Sequence, residues 1–158
     1  MTTSVTDSAL GAHNVPDSVL GRATLPDIDY VDLFTLDAGA QATPEQWARA
    51  MFGDVPNAAE RLIWQGLLGL RLSRGPSAAT VAGWQVTGRG DDWVRLEAAS
   101  PIVACNLVVG ASGGSVSLGT FMHYRRRLGG WVWGPLSAVH RRLAPGLLHE
   151  AAAKVRSA

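Results

Sequence analysis

WVWGPLSAVHRRLAPGLLHEAAAKV, residues 131–155, is the stretch on which the fold turns. Leu136, Val139, Leu143, Leu147, Ala151 and Val155 recur every three or four residues, one apolar stripe at the helical period. His140, Arg141, Arg142, His149, Glu150 and Lys154 fall mostly on the flanks and the opposite face. The stretch reads as one long amphipathic helix entered through Pro135, whose missing N–H does no harm in a first turn. Pro145 is different, because in mid-helix it removes the bond to the carbonyl of Arg141 and crowds it. A kink near Leu143, or a break into two helices, is predicted there. The stripe fits a helix over a solid core, and with a kink it also fits one arching over a cavity.

Upstream of this helix the pattern changes to strands. Val81–Thr87 is a first segment, and Gly88-Arg89-Gly90-Asp91-Asp92 a hairpin turn. Trp93–Ala99 alternates strictly, with Val94, Leu96 and Ala98 on one face and Trp93, Arg95 and Glu97 on the other. Ile102–Val109 is almost wholly apolar, which predicts a strand covered on both faces. Ala111-Ser112-Gly113-Gly114 turns the chain into Ser115–Arg127, where Val116, Leu118, Thr120, Met122 and Tyr124 alternate against Ser117, Gly119, Phe121 and His123. Leu128-Gly129-Gly130 reads as the last turn before the closing helix.

The N-terminal third begins with residues 1–24, polar and aperiodic, which read as a flexible or loosely docked arm. Residues 25–158 form the single domain. Ile28–Leu36 alternates as a first strand. Thr43-Pro44-Glu45-Gln46 carries a capping box with proline at the first helical position, so a helix runs from there to about Phe52. Gly53-Asp54-Val55-Pro56 stops it. Asn57 caps a second helix from Ala58 to about Leu68, and Gly69–Ala79 is a loop.

At 158 residues with 47% hydrophobic and 17% charged side chains, the chain can bury a sizeable core as one domain. No apolar run approaches the roughly 18 residues of a membrane span, and the N-terminus lacks a signal-peptide layout, so a cytoplasmic location is expected. The net charge of +1 is unevenly placed. Residues 1–60 hold nine acids against two arginines, and residues 125–158 hold seven basic residues against one acid. Complementary surfaces within one fold explain this. The basic residues lack interleaved aromatics, which argues against a nucleic-acid partner.

The element order is strand, two short helices, antiparallel strands joined by Gly-rich hairpins, and a long final helix. It resembles the helix-grip order of the START-like, polyketide-cyclase superfamily (SRPBCC). Gly130-Trp131-Val132-Trp133, Pro135, Val139-His140-Arg141-Arg142-Leu143 and Pro145 look like the closing motif of an uncharacterised family of small bacterial proteins presumed to belong to it. The resemblance implies an α+β fold, a curved antiparallel sheet gripping the helix around a mostly apolar cavity. It brings no catalytic residue with it.

Candidate chemistry is sparse. The four histidines, His13, His123, His140 and His149, form no metal-ligand spacing, so no metal and no cofactor are expected. Cys105, the one cysteine, reads as an inert core thiol in an apolar strand. Residues 110–114 (GASGG) read as a hairpin, since a phosphate cradle would open a helix. His123 and Tyr124 point to opposite faces, so only one can reach a cavity. Asn106 interrupts an apolar strand, where its amide needs a partner, either neighbouring backbone or a ligand. Trp64, Trp84, Met122, His140 and Leu143, with Asn106, are the candidate ligand contacts, and His123, Asn106 and Tyr124 the candidate catalytic groups.

Three functions follow as expectations. The first is binding of a hydrophobic small molecule, such as a lipid, polyketide or aromatic metabolite, by a monomer or homodimer. The second is a cyclase, dehydratase or isomerase working in the same cavity. The third is an interaction protein with a filled core.

Overall fold

The computed structural model describes residues 7–53, 57–74 and 76–157. The first six residues of the arm, the helix stop at Asp54-Val55-Pro56, and Gly75 of the loop lie outside them.

The protein is α+β. Strands β1 (Asp7–Leu10), β2 (Tyr30–Asp37), β3 (Thr80–Val81), β4 (Trp84–Arg89), β5 (Trp93–Ala99), β6 (Val103–Ser112) and β7 (Ser115–Tyr124) form one antiparallel sheet. Its order is β1-β2-β7-β6-β5-β4-β3, so the first core strand lies beside the last. Helix α1 (Asp17–Leu20) precedes β2, while α2 (Pro44–Phe52) and α3 (Ala58–Arg61) follow it. The final helix, α4 (Arg127–Ser157), lies across the sheet's inner face. This curved open sheet with its long C-terminal helix is compatible with the helix-grip fold.

Local chemistry explains much of this. In α2 the Gln46 N–H donates to Thr43 Oγ1 at 3.1 Å, and the Thr43 N–H donates to Gln46 Oε1 at 2.9 Å. Asn57 and Glu60 repeat the box at the start of α3. Helix α3 then widens into a π-helical turn, Leu62–Leu67. β5 has the expected bounds, with Val94, Leu96 and Ala98 buried.

Several expectations are corrected. Val81–Thr87 is two strands, because Ala82 (φ 49°) and Gly83 (φ 86°) make a two-residue turn between them. Positive φ at both turn positions matches the right-handed twist of a hairpin. The closing helix begins at Arg127, and Gly129 belongs to its first turn. A Cβ on Gly129 would meet the Ile102 carbonyl oxygen at 2.3 Å, so this glycine serves close helix–sheet contact. The helix enters well before Pro135 and runs unbroken through Pro145 as 31 residues. Its buried line is Trp133, Ser137, Ala144, Leu148, Ala151 and Ala152, while Val139 and Leu143 are exposed. The expected stripe is therefore turned by about one residue, roughly 100° on a helix.

Residues 7–24, expected as a flexible or loosely docked arm, supply the edge strand β1 and the cover of the sheet's outer face. Val15 joins Val31, Val108 and Phe121 in a second core, with Val19, Leu20 and Ile28 packed against it. This is why β6 is apolar on both sides. Cys105, Leu107 and Val109 face the main core, and Val108 faces the second.

Two glycines of α4 should respond oppositely to alanine. Gly129→Ala should lower stability by about 1–3 kcal/mol through overpacking. Gly146→Ala, where an added Cβ meets nothing within 4 Å, should raise it by up to about 1 kcal/mol through helix propensity. Urea denaturation of both variants checks the pair.

Candidate functional site

Between the inner face of the sheet and α4 lies a cavity of about 380 Å³, within the usual range for small-molecule sites. Leu107, Leu118 and Met122 from β6 and β7 form its floor, and Leu136 and Leu147 of α4 contribute to its roof. Trp64 stands edge-on between Phe52, at 5.8 Å, and Trp84, at 5.3 Å, making an aromatic wall. Exposed lining residues, among them Asn57, Arg142, Leu143 and Glu150, mark the opening between α3 and α4. Glu60 also lines it, and burial raises its carboxyl above the usual value.

A polar cluster lies behind one wall of the cavity and meets it through His140. The Asp32 carboxylate is fully buried on the inner face of β2. It accepts a hydrogen bond from the Tyr30 hydroxyl, and Oδ2 lies 3.1 Å from His140 Nε2. A carboxylate taken out of water needs such donors and a nearby positive charge. Arg141 supplies the charge, its Nη1 donating to the Tyr30 hydroxyl at 3.3 Å and to Ser137 Oγ at 3.1 Å. Burial first, and the Asp32 charge second, push the Tyr30 phenol far above its ordinary value, so it remains a donor.

The His140 ring is held between Trp133, 5.5 Å away, and Phe34, 6.5 Å away. It lines the cavity with its side chain 21% exposed. Thr120 is the cross-strand neighbour of Asp32 in the β2–β7 register, so the two share a face. Among the described residues, Thr120 Oγ1, Trp84 Nε1 and Trp133 Nε1 are buried without a hydrogen-bond partner, and all three residues line the cavity.

Trp64, Trp84, Met122, His140 and Leu143 are thus brought together around one space. Asn106, His123 and Tyr124 are not in its lining. Asn106 points to the outer face, where its Oδ1 accepts from the Thr24 N–H at 2.7 Å and from the Thr24 hydroxyl at 3.1 Å. It clamps the N-terminal segment, whose partner position is 82 residues away in sequence. His123 also faces outward, with Nδ1 3.1 Å from Asp29 Oδ2, and the same carboxylate accepts the Tyr124 N–H at 2.7 Å. The Tyr124 ring packs beside Gly130, and burial, then the charge of Asp29, raises its phenol. Strand pleat placed His123 and Tyr124 on opposite faces, but the cavity ends before either.

Asp32, Tyr30, Thr120, Trp133 and Arg141 are the residues that sequence reasoning passed over. Asp32 left a readable signal, a carboxylate on the face that Phe34 and Leu36 make apolar. Among the described residues no cluster of three or more His, Cys, Asp or Glu could hold a metal ion. No helix there is long and apolar enough to cross a membrane.

Comparison of the chain with protein-family models, with curated proteins and with solved structures gave no match.

Two outcomes follow from these placements. Burial, with the Asp32 charge adding to it, pushes the Cys105 thiol far above its ordinary value. At pH 8 iodoacetamide should leave Cys105 unmodified in the native protein and alkylate it in urea, read by mass. Asn106→Ala should cost about 1–3 kcal/mol of stability by orphaning the Thr24 N–H, while ligand binding in the cavity stays unchanged in fluorescence titration.

Proposed function

We propose that the protein binds a hydrophobic small molecule in the cavity between its sheet and α4. The observation that carries this reading is the lining itself. Apolar and aromatic walls enclose a few buried donors, on Thr120, Trp84 and Trp133, that have no partner among the described residues. Such walls suit an apolar ligand body, and the donors suit acceptor groups on it. Asp32 argues against an anionic group beside His140, since two carboxylates there would repel. The ligand class is therefore a neutral lipid, polyketide or aromatic metabolite with a carbonyl or hydroxyl.

The strand order, with the first core strand beside the last and one long helix across the inner face, supports membership of the START-like, SRPBCC superfamily. In the same reading, the chain is a small bacterial protein, working in the cytoplasm as a monomer or homodimer.

Gly146 provides a direct test, because it lines the cavity and an added Cβ there meets nothing within 4 Å. The neutral fluorescent probe N-phenyl-1-naphthylamine, or a ligand retained through native mass spectrometry, should bind the wild-type protein. Gly146→Trp should weaken that binding about tenfold or more, a loss of roughly 1.4 kcal/mol, with an unchanged circular dichroism spectrum. Equal binding by the two proteins would place the ligand elsewhere and sink the cavity reading.

A further inference from the structure

We propose that His140 moves a proton on the ligand, with Asp32 as its positioning residue and Thr120 donating to the ligand oxygen. The inference rests on the cavity-binding reading and adds a reaction to it, proton transfer next to a carbonyl group.

The geometry starts from Asp32. A fully buried carboxylate contributes little to stability that an apolar residue of similar size would not. Here it fixes an imidazole. With the Tyr30 hydroxyl already donating to Asp32, His140 Nε2 is the second donor to the same carboxylate, at 3.1 Å. That assignment leaves the lone pair on Nδ1, which makes no hydrogen bond among the described residues. Trp133 and Phe34 hold the ring on two sides, so its direction is set before any ligand arrives. The ring belongs to the cavity lining. A base of this kind needs a second group where charge develops. Thr120, cross-strand from Asp32 and in the same lining, carries a buried hydroxyl with no partner. Cys105 lines the cavity too, but burial keeps its thiol protonated, which argues against a covalent thiolate route.

The chemical step balances without a co-reactant. The ligand is a largely apolar ketone or aldehyde with a C–H bond beside the carbonyl. That bond breaks, its proton bonds to His140 Nδ1, and its electron pair passes into the carbonyl to give an enolate. The resulting imidazolium is paired with the Asp32 carboxylate, and the enolate oxygen accepts the Thr120 hydroxyl proton as a hydrogen bond. Return of the proton to the same carbon regenerates the ligand. Return to another carbon of a conjugated system isomerises it.

2-Tetralone, a small apolar ketone with exchangeable C–H bonds, serves as the probe. Quenching of the cavity tryptophans measures its binding, and proton NMR in heavy water measures exchange of its C1 protons. The expected result is exchange above the buffer rate that saturates with the binding curve. His140→Gln should reduce the saturating rate about 100-fold or more, with the dissociation constant within about threefold. Asp32→Asn should lower the rate at saturation and leave binding in place, a split that a merely structural role would not produce. Asp32 is fully buried, so if that variant fails to fold, His140→Gln, at a partly exposed ring, decides alone. Binding with exchange at the buffer rate, or equal exchange in His140→Gln, overturns the proton-transfer inference and leaves the binding reading standing. Absence of both quenching and exchange overturns the two together.

Discussion

A carboxylate cut off from water must find its hydrogen bonds inside the protein, and Asp32 finds them by joining the sheet to the closing helix. Tyr30 reaches it along the same strand, and His140 reaches it from α4. Arg141 adds the compensating charge through Tyr30. These bonds set the rotation of α4. If Val139 and Leu143 turned fully inward, His140 would leave Asp32, and a buried charge would lose a donor at a cost of several kcal/mol. Two leucine-sized apolar groups near the surface lose less than that. The polar cluster therefore outweighs the apolar stripe, and the helix settles about one residue away from the face that hydrophobicity alone selects.

That setting has a consequence for space. In the C-terminal half of α4, Ala144, Leu148, Ala151 and Ala152 are all buried, and the small side chains among them let the helix lie close to its neighbours. Nearer the middle, Leu136, Leu143 and Leu147 border open volume. The outer face of the sheet is closed by a different means. Residues 7–28 cover it with the second core. Arg95 donates to the Arg22 carbonyl at 2.9 Å, and Asn106 holds Thr24. That face is closed by residues 7–28, and the cavity lies on the other, inner face.

How far the sequence carries this can be followed residue by residue. Alternation gave Trp93–Ala99 its bounds, and the Thr43–Gln46 box gave α2 its start, because both are local patterns. Gly129 misled for a physical reason, since a glycine before a helix and a glycine inside its first turn look the same until the Ile102 carbonyl is placed beside it. Asn106 announced a partner but not its direction, which depends on a register set by β5 and β7 together. Asp32 was visible on an apolar face, yet its meaning needs His140, 108 residues away in sequence. Thr120 carried no signal of its own, because a threonine in a strand is ordinary and only the β2–β7 register puts it beside Asp32.

The distribution of unmatched groups bears on whether the open volume is a packing fault or a site. Buried polar atoms without partners are few in folded proteins, and each asks for a cause. Among the described residues there are four, on Thr80, Trp84, Thr120 and Trp133. Packing faults would fall without regard to any cavity. Here three of the four belong to residues that line one space, and His140, the partner of Asp32, lines it too. Each orphaned donor costs about 1–3 kcal/mol, and the void forgoes dispersion contacts that a larger side chain would restore. A ligand with acceptor groups and an apolar body offsets both deficits at once. The open volume and three of the unmatched buried donors therefore lie in the same place.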